Sequence, residues 1–428
     1  MTKILRTILI LSCLTFAVKV SAQSTTTSPY SQFGLGYLNG SQLPQNRAMG
    51  GISAGLRKPT SYNNINLSNP ASYSSIRMTT FDIGVSGSLN NLSKGDVTEK
   101  AFDASLNHLV FAVPVTKKSA LSFGLVPYSS KGYNFTENDQ VGGQNVKYVY
   151  SADGGISKAY LGYGFQLGKK FSVGANASYL FGKLTDSKAA EYNNVAFLNS
   201  RTQNNNSISG LTFDYGVQYE TPLSSKVSLV LGYAGSSNST IKSKGDLLTT
   251  RYFDTGTGTG GAPIDTTDFR QDAVTNLKLP ALHTVGFVIQ RNNKWLIGAD
   301  YSMGRWKNYR EGNNNPGLQN STSLAVGTQL IPDITSVGNY FKLVDYRFGF
   351  RYDKTYIKLS NQDINQMALT FGLGLPLPAN RSTFYKINLG TEIGQRGTLQ
   401  NNLIRERFVN LHLSFTMNDQ WFQKYKFD

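Results

Sequence analysis

From Thr79 onward, apolar and polar residues alternate along the chain with a period of two. This period places successive side chains on opposite faces of a β-strand. The last segment shows the pattern most clearly, since every second residue is apolar at Val409, Leu411, Leu413 and Phe415. Fourteen segments follow this rule, at about residues 79–92, 104–115, 119–133, 155–167, 170–183, 206–220, 225–238, 277–290, 294–305, 320–330, 343–352, 366–376, 382–394 and 406–417. Most of them are long enough to cross a membrane as tilted strands.

The connections between these segments alternate between short and long. Short ones lie at 116–118, 168–169, 221–224 and 291–293, and long ones at 134–154, 184–205 and 239–276. Transmembrane barrels have short periplasmic turns and long external loops, whereas a water-soluble β-sheet protein has no reason for this alternation. The linker 331–342 is an exception, because it is too long for a tight turn.

These patterns predict an all-β fold, a 14-stranded antiparallel transmembrane β-barrel over residues 79–417. An even number of strands leaves both ends of the barrel on the periplasmic side. Residues 418–428 are then predicted to form a short periplasmic tail.

The first 22 residues have the features of a secretory signal peptide. Lys3 and Arg6 precede an apolar stretch at 8–18, and small residues precede Gln23. A lipoprotein-type cleavage site at Cys13 is the alternative, although the apolar run continues past it. Cys13 is the only cysteine, so cleavage after residue 22 leaves no thiol for a disulfide, for catalysis or for zinc. We expect export to the outer membrane of a Gram-negative cell.

Residues 23–78 show no sustained alternation and are rich in Gly, Ser, Asn and Pro. They also contain scattered apolar residues, which a disordered leader would usually lack. The segment is therefore predicted to be an N-terminal plug inside the barrel lumen. Five of its apolar residues are candidates for contact with a ligand: Phe33, Leu35, Met49, Ile52 and Leu67.

Composition supports a barrel and argues against other classes. Past the N-terminus there is no apolar run of about 20 residues, as a helical membrane protein would need. The formal net charge is +16, but the basic residues are dispersed, so no clustered patch suggests nucleic-acid binding. A basic exterior suits the anionic head groups of outer-membrane lipids. Aromatic residues near segment ends, such as Tyr160 and Trp306, are predicted to lie at the membrane interfaces.

Enzyme-like motifs are present but weak. Asp254-Thr255-Gly256 resembles the aspartic-protease tripeptide, and Gly256, Gly258 and Gly261 fit a dinucleotide-binding spacing. Neither has the flanking strands or helix that such sites require. The three histidines are far apart in the sequence, and no serine is marked as a nucleophile. The sequence therefore predicts a non-enzyme without catalytic residues, metal site or cofactor.

Six charged or titratable residues have the strand parity of lumen-facing positions: Asp82, Asp214, Asp300, Arg347, Glu392 and His412. Charged groups inside a barrel usually pair with one another or with a plug. Lining a substrate path is a second interpretation, compatible with the first. Closure of a barrel pairs the first strand with the last, so we expect Asp82 to lie beside His412.

The chain resembles the FadL/TodX family of outer-membrane transporters for hydrophobic compounds. The resemblance follows Phe33-Gly34-Leu35-Gly36, then Arg47-Ala48-Met49-Gly50-Gly51, then Asn69-Pro70-Ala71 just before the first strand. Further matches are Leu279-Pro280-Ala281 with Gly298-Ala299-Asp300, and Tyr346-Arg347-Phe348-Gly349. The tail after residue 417 departs from the best-known members, whose last strand ends the chain, and indicates a distant branch.

The resemblance implies a plug motif at Arg47, Gly50, Gly51, Asn69, Pro70 and Ala71. It also implies passive passage of an apolar, long-chain fatty acid-like compound through a side opening in the wall, made by an inward kink in the third strand. That strand contains Gly124 and Pro127. Proline cannot donate to a neighbouring strand, so these two residues are the candidate lateral gate.

Two functions remain open from the sequence. The first is uptake of a hydrophobic small molecule or lipid. The alternative is an accessory barrel of a protein secretion or outer-membrane assembly system, as in PorV-like relatives, with a secretion-system protein as partner. A continuous apolar tunnel would favour uptake, and a filled lumen with elaborate external structure would favour the accessory role.

Overall fold

Fourteen antiparallel strands close into a ring in the computed structural model, which describes residues 28–192, 197–253, 262–378 and 383–421. The first strand, β1 (Thr79–Lys94), pairs with the last, β14 (Arg405–Asp419), from Thr79 opposite Asp419 to Ser93 opposite Arg405. The predicted fold class, a closed 14-stranded antiparallel barrel, is confirmed.

Ten further wall strands are continuous: β2 (Val97–Thr116), β3 (Ser119–Val141), β4 (Gln144–Leu167), β5 (Phe171–Tyr192), β6 (Asn199–Pro222), β9 (Trp295–Gly304), β10 (Ser321–Leu330), β11 (Asp345–Leu359), β12 (Gln362–Pro376) and β13 (Phe384–Gly397). Two are interrupted: β7 comprises β7a (Ser228–Ser236) and β7b (Ser239–Tyr252), and β8 comprises β8a (Pro263–Leu279) and β8b (Leu282–Arg291).

The remaining elements are short. The two-residue strands are Tyr37–Leu38 and Arg310–Glu311, and the single α-helical turn is Pro44–Arg47. The described 3₁₀ turns are Pro29–Gln32, Pro70–Ser75, Trp306–Asn308, Tyr340–Lys342 and Gln400–Asn402. Within the described ranges, none of the helices is long and apolar enough to span a membrane.

The alternation read from the sequence separates an apolar exterior from a polar interior. On β14, Leu411 and Leu413 are 49% and 46% exposed, whereas His412 and Ser414 are 6% and 2% exposed. The outward residues of the other strands are likewise exposed aromatic and aliphatic side chains. A barrel with this exterior hides its polar residues in the lumen and its backbone groups in the strand ladders.

The long connections predicted at 134–154, 184–205 and 239–276 are wrong, because most of these residues continue the strands. β3 and β4 are joined by a tight turn at Gly142-Gly143, and β5 to β8a remain paired to their ends. The alternation disappears because both faces are polar there: beyond Phe181, the outward residues of β5 are Lys183, Thr185 and Ser187. Six strands therefore extend about 30 Å past the apolar band.

Some sequence features lie outside the described residues. They are the predicted signal peptide 1–22, the start of the plug at 23–27, the Asp254-Thr255-Gly256 tripeptide, the glycines at 256, 258 and 261, and residues 422–428 of the tail. The unusual linker after β10 contains the 3₁₀ turn Tyr340–Lys342 before β11 begins.

The segment from Ser28 to Met78 lies inside the ring. Its atoms come close to inward positions on strands all around the wall: Gly164 on β4, Gly216 on β6, Gly232 on β7a, Gly298 on β9, Gly327 on β10 and Gly372 on β12. A segment that touches strands on every side can lie only in the lumen. We call residues 28–78 the plug.

Several of these contacts need glycine in the wall. A Cβ added at Gly327 would lie 2.1 Å from the Met49 carbonyl oxygen, and one at Gly232 would lie 1.8 Å from that of Ala54. These distances are too short for any side chain. Plug backbone therefore packs directly against wall backbone, and Met49, Ile52 and Leu56 fill the adjoining space with Val288 and Leu296.

We predict that Gly327→Ala destabilises the protein by about 1–3 kcal/mol, because the new methyl group must push the Met49 backbone away from the wall. The matched control is Gly338→Ala, since an added Cβ there meets nothing within 4 Å. Guanidinium unfolding with proteolysis of the plug as a second readout measures the difference. Equal unfolding midpoints for the two variants would contradict the direct backbone packing.

Candidate functional site: plug, cavity and wall opening

The Asn69-Pro70-Ala71 turn connects the plug to the wall. The Asn69 side chain accepts from the Ala71 amide at 3.1 Å and donates to the Ala54 carbonyl at 2.7 Å. Its oxygen also lies where a side chain at Gly216 would be. Pro70 then begins the 3₁₀ turn that leads to β1. Asparagine is suited to this position because one side chain both caps the turn and binds a second part of the plug.

Asp300 on β9 holds the middle of the plug. One of its carboxylate oxygens accepts from the Ser53 amide at 2.6 Å and the Ala54 amide at 2.8 Å. The residue is buried. A carboxylate that accepts from two backbone amides stabilises the turn that presents them.

Glu392 on β13 is the centre of a buried charge cluster. Its carboxylate lies 3.5 Å from Arg47 of the plug, 3.7 Å from Arg351 and 3.5 Å from His412. Arg47 also donates to the Asn39 and Gln42 carbonyl oxygens. Gly50 and Gly51 follow with positive φ values of 69° and 92°, a backbone conformation that favours glycine. The cluster connects the Arg-Ala part of the plug to three wall strands.

Asp82 and His412 face the lumen on neighbouring strands, as predicted, but their side chains do not contact each other. The register places His412 opposite Ser86 and Asp82 opposite Thr416. Asp82 contacts His108 on β2 at 2.6 Å and Thr416 at 2.6 Å. The register between β1 and β14 is set by closure of the whole ring. Judging it from the distance of Asp82 and His412 to their strand ends therefore gave an error of four residues.

The other two lumen charges bind to neighbouring wall residues. Lys158 lies 2.9 Å from Asp214. Arg347 is fully enclosed by Asp345 at 2.6 Å, Gln329 at 2.8 Å and Asn388 at 2.9 Å. Thus Asp300 and Glu392 bind residues of the plug, while Asp82, Asp214 and Arg347 bind other residues of the wall.

A cavity of about 400 Å³ lies between the plug and the wall. Its walls carry five aromatic side chains, which are Tyr30, Tyr37, Tyr128, Trp306 and Tyr356. Burial raises the pKa of the Tyr30 hydroxyl, which donates to the Ile404 carbonyl oxygen and stays neutral. A cluster of buried aliphatic residues, including Ile156, Leu180, Ile208 and Ile241, packs around the same aromatic group.

Of the five predicted ligand-contact residues, Leu67 lines this cavity. Met49 and Ile52 pack the plug against the wall. Leu35 is buried in the cluster that contains Tyr30 and Trp306, and Phe33 packs against that cluster. Trp306 is buried over the cavity and Tyr160 is buried inside the wall, so neither lies at a membrane interface as predicted. Position near a strand end did not distinguish an outward aromatic residue from an inward one.

The ladder between β2 and β3 ends close to Pro127. Pairing of β3 with β2 runs from Ser119 opposite Thr116 up to Leu125 opposite Leu109 and ends there. On the other side, the β3–β4 ladder continues but shifts register between Pro127 and Ser129. Gly124 lies at the last paired rows, where an added Cβ would be 2.3 Å from the Leu109 carbonyl oxygen. We call the interval between β2 and β3 beyond the end of this ladder at Leu125 the seam.

A second, smaller cavity of about 100 Å³ lies behind the seam. Its lining includes Asp103, Ser105 and Asn107 of β2 and Val126 and Pro127 of β3. It shares Asn39, Gln42 and Pro127 with the larger cavity. The two cavities are therefore adjacent.

We predict that Glu392→Gln destabilises the protein by about 3 kcal/mol, because buried Arg47 loses its carboxylate partner. Guanidinium unfolding measures the change, and Glu99→Gln at an exposed position of β2 is the control. A loss below about 1 kcal/mol would mean that the cluster contributes no more than a surface ion pair.

Comparison with solved structures gives barrels of one type. The chain superposes on a Pseudomonas aeruginosa FadL homologue with a TM-score of 0.61 at 14% identity, covering 90% of this chain and 99% of that one. The Ralstonia pickettii toluene transporter TbuX gives 0.56 at 13% identity, with 90% and 99% covered. The P. putida toluene transporter TodX gives 0.56 at 14% identity, with 90% and 100% covered. The resemblance to FadL/TodX barrels is thus confirmed for the fold.

Comparison of sequences narrows the relationship further. No curated protein matches the chain. A family model does, and it aligns with almost the full length, from residue 3 to residue 428. The chain belongs to the BamG family, a distant branch among barrels with the FadL-type fold.

Proposed function

We propose that this barrel lies in the outer membrane and passes hydrophobic compounds passively from the exterior into the membrane through the seam. The observation that carries the proposal is the end of the β2–β3 ladder at Leu125, beside Pro127 and in front of a cavity. A hydrophobic molecule cannot readily diffuse along a water-filled lumen, whereas a side opening delivers it to lipid. The toluene transporters named above share the fold, which adds support.

The larger cavity has the lining of a binding site for an apolar molecule. Its volume of about 400 Å³ lies within the usual range for small-molecule sites, about 300–1,000 Å³, and five aromatic side chains line it. The cavity also shares lining residues with the space behind the seam. A compound bound there needs no passage through the plug to reach the wall.

The ion pairs around the cavity indicate an uncharged compound rather than a fatty acid anion. Each cation that lines the cavity has a carboxylate partner among the described residues: Arg47 with Glu392, Lys158 with Asp214, Arg351 with Asp353, Lys354 with Asp363, and Arg396 with Glu406. A ligand carboxylate would have to displace one of these partners. At the buried pairs, such as Arg396 with Glu406, doing so would leave a buried charge uncompensated, which is costly. Lys354 and Asp363 are partly exposed, so this cost is smaller there.

We predict that Pro127→Val lowers transport of an uncharged apolar probe toward the level of protein-free vesicles. Valine supplies the missing backbone donor and favours extended pairing of β3 with its neighbours. Uptake into proteoliposomes measures the effect. Pro114→Val is the control, because Pro114 also lies in a wall strand but is paired with Ala120 below the seam. Unchanged uptake in Pro127→Val would remove the opening from this position.

We predict that dodecanol binds the cavity more tightly than laurate by about tenfold or more, since the alcohol disturbs no ion pair. Trp306 lines the cavity and reports binding by its fluorescence when Trp295 and Trp421 are replaced by Phe. A further Trp306→Phe replacement is the control that should abolish the signal. Tighter binding of laurate would restore the fatty acid-like ligand.

A second function, an accessory barrel for an exported or membrane protein, is favoured by a different observation. The six strands β3 to β8a form a polar sheet that extends past the apolar band. Passage of a small apolar compound does not need such a sheet. Isolation of the barrel in mild detergent, with mass spectrometry of both bound lipids and stoichiometric proteins, distinguishes the two functions.

A further inference from the structure

A groove crosses the outer surface of six neighbouring strands, which are β11, β12, β13, β14, β1 and β2. Its volume is about 690 Å³, and three consecutive rows of paired residues form it. The side chains of the middle row point into the lumen, so this row presents backbone to the outside: Ala368, Gly394, Phe408, Asn90 and Ala101. The rows on either side point outward and form two banks. We call this depression the wall groove.

One bank of the wall groove is apolar along its whole length. Ladder pairs join its residues in one row: Phe350, Leu369, Ile393, Val409 and Leu89. Leu369, Ile393 and Leu89 are 54%, 51% and 50% exposed. Apolar side chains on the outer face of a membrane barrel contact the hydrocarbon of the lipids. This bank therefore suits an acyl chain.

The other bank changes from cationic to apolar. In order from β2 to β12, its residues are Lys100, Asn91, Arg407, Gln395 and Met367. Lys100 and Arg407 are exposed, and no carboxylate of the described residues forms an ion pair with either of them. Lys354 on β11, by contrast, lies 2.6 Å from Asp363. The two cations of this bank thus lack an anion within the described part of the chain.

Arg405 adds a third cation at the same end of the wall groove. It is the next outward residue of β14 after Arg407, and it is paired with Ser93 of β1. Its Nε is buried and has no hydrogen-bond partner among the described residues. A guanidinium carries five N–H donors and no acceptor, so an anion is the partner that such a group requires.

The tilt of the strands gives the wall groove a direction. Lys100 is 16 residues from the Thr116 end of β2, whereas Met367, in the same row, is 9 residues from the Pro376 end of β12. Both of these strand ends lie at the end of the barrel that carries Thr79. The row therefore descends by about 15 Å from its cationic to its apolar end. That height is about the thickness of the hydrocarbon in one leaflet.

We propose that the wall groove binds a membrane lipid with a phosphate headgroup. The phosphate lies between Lys100 and Arg407, and one acyl chain follows the apolar bank toward Phe350. The Cα atoms of the two cations are two strand spacings apart, about 10 Å, which their long side chains span around one phosphate. Arginine binds phosphate through two parallel hydrogen bonds, and lysine binds it as a point charge.

An amphiphile fits the wall groove better than a soluble anion does. A soluble anion would contact only the cationic end and would leave the apolar bank unused. The change from Lys100 and Arg407 to Met367 along one bank matches the change from headgroup to hydrocarbon in a lipid. The site goes beyond the proposed passage of hydrophobic compounds, because it lies outside the wall and uses neither the seam nor the larger cavity.

The test measures which lipids touch the wall groove in vesicles of dioleoylphosphatidylcholine. The full-length barrel carries Trp295→Phe, Trp306→Phe and Trp421→Phe, and Ile393→Trp then places a single reporter in the apolar bank. Brominated phosphatidic acid or brominated phosphatidylcholine is added in increasing fractions, since bromine quenches a tryptophan that it contacts. The control reporter is Leu211→Trp on the outer face of β6, where the native side chain is 57% exposed.

We expect phosphatidic acid to be preferred over phosphatidylcholine by about tenfold at position 393, because each of two cations attracts the anionic headgroup. At position 211 the preference should be below about twofold. Lys100→Gln combined with Arg407→Gln should reduce the preference at position 393 to the level at position 211. The matched control is Lys183→Gln, which removes an exposed outward cation of β5 and should change nothing at position 393.

Three results would overturn the proposal. Equal preference at the two reporter positions would show general attraction of anionic lipid to a basic barrel. An unchanged preference in the variant without Lys100 and Arg407 would show that these cations do not hold the headgroup. Relief of the quenching by glycerol 3-phosphate would show an anion site that needs no lipid. Unchanged quenching by brominated phosphatidylcholine checks that each variant is folded in the membrane.

Uptake of an uncharged apolar probe, measured on the same samples, separates this proposal from the preceding one. The variant without Lys100 and Arg407 should lose the lipid preference and keep the uptake. A preference at position 393 without any uptake would support the lipid site and contradict the proposed passage. Uptake without a preference at position 393 would have the opposite meaning.

Discussion

The hydrogen-bond ladder between neighbouring strands is the interaction on which the rest of this structure depends. In a membrane, backbone groups have no water to bind, so each strand needs a partner on both sides, and pairing of β1 with β14 provides the last one. Among the described residues, the ladder between β2 and β3 ends at Leu125 opposite Leu109. The plug strand Tyr37–Leu38, the small cavity and Pro127 all lie beside this end. The proposed passage of hydrophobic compounds uses this place in the wall.

The plug is held by two kinds of contact with different consequences. Backbone approaches such as Met49 to Gly327 leave no space for rearrangement, so this part of the plug is fixed. The charge cluster around Glu392 instead joins Arg47 of the plug to Arg351 and His412 of the wall. Because these charges compensate one another, they stabilise the plug without making the cavity attractive to anions. The same arrangement therefore fixes the plug in the lumen and supports the proposal of an uncharged ligand.

The sequence predicted most of the wall. All fourteen strands were located from the alternation of apolar and polar residues, since lipid on one side and a polar lumen on the other impose that period. It failed where β3 to β8a continue into water, because polar residues on both faces carry no period although pairing persists. It did not identify Tyr128 and Tyr356 as cavity residues. Both lie where the strand register shifts, between Pro127 and Ser129 and between Lys354 and Lys358, and a local alternation pattern does not reveal such a shift.

What the sequence by itself determined is the direction in which each wall residue points, a property set by neighbours one and two positions away. What only the tertiary structure decided is which inward residues meet. The register between β1 and β14 placed Asp82 against His108 and Thr416 instead of His412, and the course of the plug brought Tyr30 and Trp306 together above Leu67. Register and plug course follow from the closure of the whole ring and from the shape of the lumen. Both depend on contacts between residues that are hundreds of positions apart in the sequence. Such contacts cannot be predicted from the local alternation of apolar and polar residues.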